Sequence, residues 1–81
     1  MTKRTVHELP EDVAQKLKLI GLKVKERRKQ IEKNYVLFSE KNQLNSMTVW
    51  RIENGENCNI ASLIEVLDAL EVSLEEFFKG I

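Results

Sequence analysis

The chain has 81 residues, 13 of them basic and 13 acidic, so its formal net charge is zero. This length suffices for one domain but not for a binding domain joined to a separate catalytic or sensor domain. Apolar residues make up 42% of the sequence, which excludes wholesale disorder. No apolar run is long enough for a membrane span or a signal-peptide core, so we expect a globular domain located in the cytoplasm.

A long first helix is predicted over residues 10–33, after a flexible arm of residues 1–9 that lacks hydrophobic periodicity. Pro10 and the two acidic residues after it are typical of a helix start. Apolar residues then recur at spacings of three, four and seven, which predicts one buried stripe: Val13, Leu17, Ile20, Val24 and Ile31. Gly21 lies within this stripe. We expect one continuous helix, and a break near residue 21 is the alternative.

Two short helices joined by a turn are predicted over residues 34–54. Asn34 is suited to cap the second helix, and Asn45 is suited to cap a third that begins at Ser46. Leu44 lies between the two helices as a buried plug. Asparagine and glycine tolerate the left-handed conformation that ends a helix, so the third helix should end at Asn54 and Gly55.

Two closing helices are predicted over residues 59–79. Asn59 caps the fourth, whose apolar side comprises Ile60, Leu63, Ile64, Leu67 and Leu70. Ser73 and Glu76 form a capping box for the fifth, which carries Leu74, Phe77 and Phe78. No segment alternates with period two, so no sheet is expected and the predicted fold class is all-α.

The stretch from Phe38 to Gly55 is the most informative part of the chain. Two short helices cross closely when the first has a small residue inside and the second has aliphatic ones, and Ser39, Val49 and Ile52 fit this pattern. Such a crossing presents the second helix to the major groove of DNA. Two ordinary core helices of a bundle are the alternative.

Two segments resemble a known family. TVWRIENG, residues 48–55, and ALEVSLEEFF, residues 69–78, are similar in content and spacing to the Cro/CI-like (XRE) helix-turn-helix family of phage repressors and bacterial regulators. The resemblance covers about residues 20–78. It implies a five-helix lambda-repressor-like DNA-binding domain, here with an extended N-terminal helix and a short arm. It also implies a sequence-specific transcriptional regulator that binds double-stranded DNA as a homodimer.

The resemblance places Ser46, Met47 and Arg51 of a recognition helix, residues 46–54, at positions that face base edges. Residues 47 and 51 are one turn apart on the face opposite Val49 and Ile52, so they should point outward together. Arginine suits a bidentate contact with guanine, serine can hydrogen-bond several bases, and methionine can contact a thymine methyl. A solvent-exposed arginine without a partner is the alternative.

Four further residues are expected at the DNA backbone. The family positions that hold phosphates are matched by Thr48, Asn54 and Tyr35. Tyr35 would act through the free backbone amides at the start of the second helix. Lys33 could add a contact. Tyr35 stands where the family often has glutamine, and packing into the core is its alternative role.

Arg28 and Glu53 match a family pair that forms a semi-buried ion pair between the first helix and the recognition helix. Gln43 and Glu71 depart from the family because they replace usual glycines. If the left-handed conformation persists, each should cost about 1 kcal/mol. Arg27 replaces a common leucine, so the first helix could pack differently.

The uneven charge distribution allows a neutral chain to bind a polyanion. Residues 1–34 contain ten basic and five acidic side chains, whereas residues 35–81 contain three basic and eight acidic ones. The basic half could meet phosphates while the acidic half faces away. The lysines of the first helix could instead be its solvated face.

A protein-interaction module of the same fold, such as an antitoxin, is the alternative function. It would hold a protein partner through Trp50, Phe77, Phe78 and Ile81. Trp50 has three candidate roles: contact with the DNA backbone, a dimer contact, or cover for the core edge, which we expect. The lone Cys58 and lone His7 predict no disulfide, no zinc site and no other cofactor. No nucleophile has a base at motif spacing, so we expect no enzyme.

Overall fold

The computed structural model describes residues 9–81, and this part of the chain contains five helices and no strand. The predicted all-α class is therefore confirmed. The helices are α1 (Glu11–Ile31), α2 (Tyr35–Lys41), α3 (Ser46–Glu53), α4 (Ile60–Ala69) and α5 (Leu74–Phe78). All but the last residue of the predicted arm, and with it His7, lie outside the described residues. Within residues 9–81, no helix combines the length and apolar character needed to cross a membrane.

Helix α1 runs without interruption through Gly21. Pro10 is its N-cap, so the helix begins at Glu11, one residue later than predicted. Its buried residues are Gly21, Val24 and Arg28. The predicted stripe is wrong at its two ends, because Val13 and Ile31 are 39% and 54% exposed. The other helices therefore cover the middle of α1 and leave both of its ends open.

Side-chain caps fix the start of each of the four shorter helices. Asn34, Asn45, Asn59 and Ser73 each accept a hydrogen bond from a backbone amide in the first turn of the helix that follows. These are the four capping residues predicted from the sequence. Each cap satisfies amides that have no partner within the helix and so determines where the helix begins.

Helices α2, α3 and α4 end in the same left-handed turn, at Gln43, Gly55 and Glu71. In each, two amides past the helix donate to carbonyls of its last turn, as in a Schellman motif. The φ angles are 57° at Gln43 and 58° at Glu71, so the left-handed conformation is retained without glycine. The expected cost of about 1 kcal/mol therefore applies at both positions.

The core lies between α1 and the four shorter helices. Its buried apolar residues are Val24, Phe38, Val49, Ile52, Leu63, Val66, Leu67, Leu70, Val72 and Phe77. The predicted apolar side of α4 is wrong at Ile60, which is 69% exposed, and it omits the buried Val66. Ile60 is the first residue of its helix and precedes the turns that face the core. The same holds for Leu74 at the start of α5, which is 45% exposed.

Gly21 is the point of closest approach between α1 and α3. A Cβ built on Gly21 would lie 2.4 Å from the carbonyl oxygen of Ile52 and 2.8 Å from that of Glu53. Both atoms belong to backbone and cannot move aside as a flexible side chain would. Gly21 is therefore required for close helix packing rather than for a break in α1.

We predict that Gly21→Ala lowers the free energy of unfolding by about 1–3 kcal/mol, because the added methyl group overpacks the contact with α3. This loss should exceed the gain of about 1 kcal/mol that alanine brings to a helix interior. Urea denaturation followed by circular dichroism measures the difference. Gln30→Ala, at an exposed position of α1, is the control and should be nearly neutral. A more stable Gly21→Ala variant would show that the two backbones are not in contact.

Candidate functional site

Helix α3 has a buried face and an open face. Val49 and Ile52 are 0% and 2% exposed, whereas Met47 is 50% exposed and the side chain of Arg51 is 57% exposed. Ser46 and Thr48 are partly buried. The structure thus brings Met47 and Arg51 together on the open face, with Ser46 at its N-terminal end.

Tight packing between α2 and α3 depends on Ser39 and Leu44. Ser39 is fully buried, and its hydroxyl donates to the carbonyl of Tyr35 at 2.7 Å. Leu44 packs against the core from the connection between the two helices, and its amide donates to the carbonyl of Ser39 at 2.8 Å. As predicted, Ser39 is the small residue inside α2, and Leu44 packs against the core from the turn between α2 and α3, where it is partly buried.

The ion pair between Arg28 and Glu53 joins α1 to the last turn of α3. Nε and Nη2 of Arg28 donate to the two carboxylate oxygens at 2.9 and 2.7 Å. Both side chains are only 4% exposed, so the pair is fully buried rather than semi-buried. The hydrogen bonds to Glu53 raise the pKa of Arg28 above its ordinary value and keep the guanidinium charged.

Arg28 also organises the segment that leads into α2. Its Nη1 donates to the carbonyls of Glu32 and Lys33 at 3.1 and 2.6 Å. The Arg28 guanidinium therefore bonds both to the segment between α1 and α2 and to the end of α3. All five donors need partners in a buried position, and these contacts supply most of them.

We predict that Glu53→Ala lowers the free energy of unfolding by about 3–5 kcal/mol, because it leaves the Arg28 guanidinium buried without its counter-charge. The double variant Arg28→Met, Glu53→Leu should lose much less, since no unpaired charge remains. Chemical denaturation of wild type, single and double variants measures both effects. Lys41→Ala, which breaks an exposed pair with Glu32, is the control and should change stability far less. Equal losses in the single and double variants would contradict this role.

Three backbone amides around the start of α2 have acceptors within the protein. Asn34 accepts hydrogen bonds from the amides of Val36 and Leu37, and Glu32 accepts one from the amide of Asn34. That hydrogen bond, together with one from Lys41, lowers the pKa of Glu32, so a negative charge sits beside this helix end. The cap and this carboxylate thus occupy three amides near Tyr35, and the phosphate contact expected at Tyr35 stays a prediction.

The other expected backbone-contacting residues differ in their surroundings. Tyr35 is partly buried and packs against the core, whereas Lys33 is exposed. The side-chain amide of Asn54 donates to the carbonyl of Trp50 at 2.8 Å, and so caps the end of α3. Thr48 and Arg51 line a polar cleft of about 210 Å³ between α3 and the start of α4, together with Asn57, Cys58, Asn59 and Ser62.

The predicted partner-binding aromatic residues are mostly buried. Phe77 is 1% exposed, and Phe78 packs against it edge to face with ring centroids 5.1 Å apart. Lys23 lies over the Phe77 ring, with Nζ 5.1 Å from its centroid. Trp50 is 38% exposed on α3. Of the residues expected to hold a partner, Ile81 and Trp50 are therefore exposed, Phe78 is partly buried and Phe77 is buried.

A different apolar surface is present on the outer side of α1. Leu19 and Leu22 are 48% and 55% exposed and line one cleft with Ile81, which is 42% exposed. These leucines lie off the buried stripe of α1, so hydrophobic periodicity did not predict an apolar surface there. Their spacing of three residues was the signal in the sequence.

Two observations in residues 9–81 concern metal binding and thiol chemistry. No three or more His, Cys, Asp or Glu side chains in this range are arranged to hold a metal ion. Burial raises the pKa of the Cys58 thiol, which keeps it protonated and weakly nucleophilic. Comparison with known proteins finds no matching family model, no matching curated protein and no matching solved structure.

Proposed function

We propose that the protein is a sequence-specific DNA-binding transcriptional regulator of the lambda-repressor-like fold, in which α3 enters the major groove. The observation that carries this proposal is the open face of α3, where Met47 and Arg51 project beside each other. A recognition helix needs exposed side chains on a rigid support. The buried Arg28–Glu53 pair and the Gly21 contact supply that support.

Each residue of the open face has a distinct proposed role. Arg51 makes a bidentate contact with guanine, Met47 packs against a thymine methyl group, and Ser46 donates to or accepts from a base edge. Thr48 and Lys33 contact phosphates and fix the position of α3 along the duplex. Asn54 uses one side-chain amide hydrogen to cap α3, and the second contacts a phosphate.

We further propose that the protein acts as a homodimer on two half-sites of the operator. A single recognition helix of eight residues contacts few base pairs, so a second copy would add both affinity and length of recognised sequence. Basic side chains in residues 1–34 would supply attraction to phosphates, and the acidic side chains of α4 and α5 would lie away from the DNA.

We predict that Arg51→Ala lowers affinity for a preferred duplex by about 5- to 150-fold, the range for loss of one bidentate base contact, with a smaller loss for random duplex. The preferred duplex is first selected from a random library with the wild-type protein. Fluorescence anisotropy across several salt concentrations then measures both affinities. Lys79→Ala removes the same charge near the end of α5 and should leave the preference unchanged.

Two results would contradict these assignments. Absence of binding to any duplex at low salt would reject DNA binding itself. Equal losses on preferred and random duplex would reject base reading by Arg51 while leaving DNA binding in place.

Binding of a protein partner is the second candidate function. It is favoured by the exposed Leu19, Leu22 and Ile81, which lie together on the outer side of α1. This surface differs from the aromatic set expected from the sequence. A partner bound there would leave the open face of α3 accessible, so the two functions are compatible.

A further inference from the structure

We propose that Glu56 is a positioning residue for Arg51 and thereby increases the preference of the protein for its specific DNA sequence over other DNA. This inference rests on the proposed function. It concerns a carboxylate whose position next to the proposed base-reading arginine was not expected from the sequence. The two side chains approach each other to 3.9 Å, between Nε of Arg51 and Oε1 of Glu56.

The backbone fixes Glu56 next to Arg51. Gly55 has a φ of 78°, which reverses the chain at the end of α3. The amide of Gly55 then donates to the carbonyl of Ile52 at 3.1 Å, and the amide of Glu56 donates to the carbonyl of Arg51 itself at 2.9 Å. Glu56 is thus tied to the residue with which its side chain interacts.

Packing against α1 restricts the conformation of this turn further. A Cβ on Gly55 would lie 2.8 Å from Cγ and 3.0 Å from Cα of Lys18. Both the positive φ and the contact with α1 therefore select glycine at this position. The position of the Glu56 backbone follows from this fixed turn.

The geometry of the pair leaves the Nη1 and Nη2 edge of the Arg51 guanidinium free to contact a base. Glu56 approaches the Nε side of the guanidinium, so the outer edge formed by Nη1 and Nη2 can still donate two parallel hydrogen bonds to guanine. Arg28 provides the contrast, because its Nε and Nη2 are both bonded to Glu53 and its Nη1 is bonded to two carbonyls. The Arg51–Glu56 contact is an ion pair rather than a hydrogen bond, so the guanidinium donors of Arg51 stay available to a base.

The charge of Glu56 also acts on the rest of the duplex. Its side chain is 51% exposed and lies beside Arg51, so on random DNA it would compete with phosphates for the Arg51 guanidinium. On the preferred sequence, guanine binds the outer edge of that guanidinium and this competition has little effect. The carboxylate therefore weakens binding to random DNA more than binding to the preferred sequence.

We predict that Glu56→Gln raises affinity for random duplex by roughly three- to tenfold, as expected for removing one like charge near the phosphates. Affinity for the preferred duplex should change much less, so the ratio of the two affinities falls. Glu40→Gln removes an equally negative exposed side chain from α2 and is the matched control, expected to leave this ratio unchanged. Glu56→Asp keeps the charge and should largely restore the ratio.

The outcomes separate this inference from the proposed function. If wild type binds a preferred duplex and Glu56→Gln keeps the wild-type affinity ratio, the role of Glu56 is rejected and DNA binding stands. If Glu40→Gln lowers the ratio as much as Glu56→Gln, a general charge effect replaces the positioning role. If wild type binds no duplex, both proposals are rejected. Thermal unfolding of each variant checks that the fold is retained.

Discussion

The contact between α1 and α3 determines where the candidate site lies. Gly21 allows the backbone of α1 to approach the carbonyls of Ile52 and Glu53. The buried pair of Arg28 and Glu53 joins the same two helices about two turns further along the same face of α1. Every proposed base-reading residue is on α3. A shift of α1 against α3 would therefore move the whole open face.

The energetic character of this contact differs from that of the apolar core. Burying a carboxylate and a guanidinium costs solvation energy that their attraction only partly offsets. Apolar burial, by contrast, is favourable but has little directional preference. The hydrophobic residues therefore supply most of the stability, whereas the ion pair selects one relative position of the helices. This division suits a protein whose proposed function requires a rigid reading helix.

Local features of the fold were predictable because their causes lie within a few residues of one another. The caps at Asn34, Asn45, Asn59 and Ser73 each involve amides two or three positions ahead. Each helix was therefore expected with nearly correct bounds. The errors in the core fell on helix ends, such as Ile60, where periodicity gives no information on how far the neighbouring helices extend.

Features of the site that depend on distant contacts were not predictable in the same way. Gly21 was read as a candidate break because its partners, the carbonyls of Ile52 and Glu53, are more than thirty positions away. The hydrogen bond from the Asn34 amide to Glu32 was not expected, because the acceptor role of Glu32 depends on how the chain turns between α1 and α2. Glu56 was passed over because its proximity to Arg51 requires the left-handed turn at Gly55.

We propose that α3 contacts DNA through its open face, while α1 packs against the opposite face of α3. The most direct measurement is the change in backbone amide NMR shifts when a preferred duplex is titrated into the labelled protein. We predict the largest amide shift changes at residues 46–51 and at residues 55–59, with the amides of α5 nearly unaffected. Changes concentrated on α5 and the outer side of α1, with α3 unaffected, would contradict it.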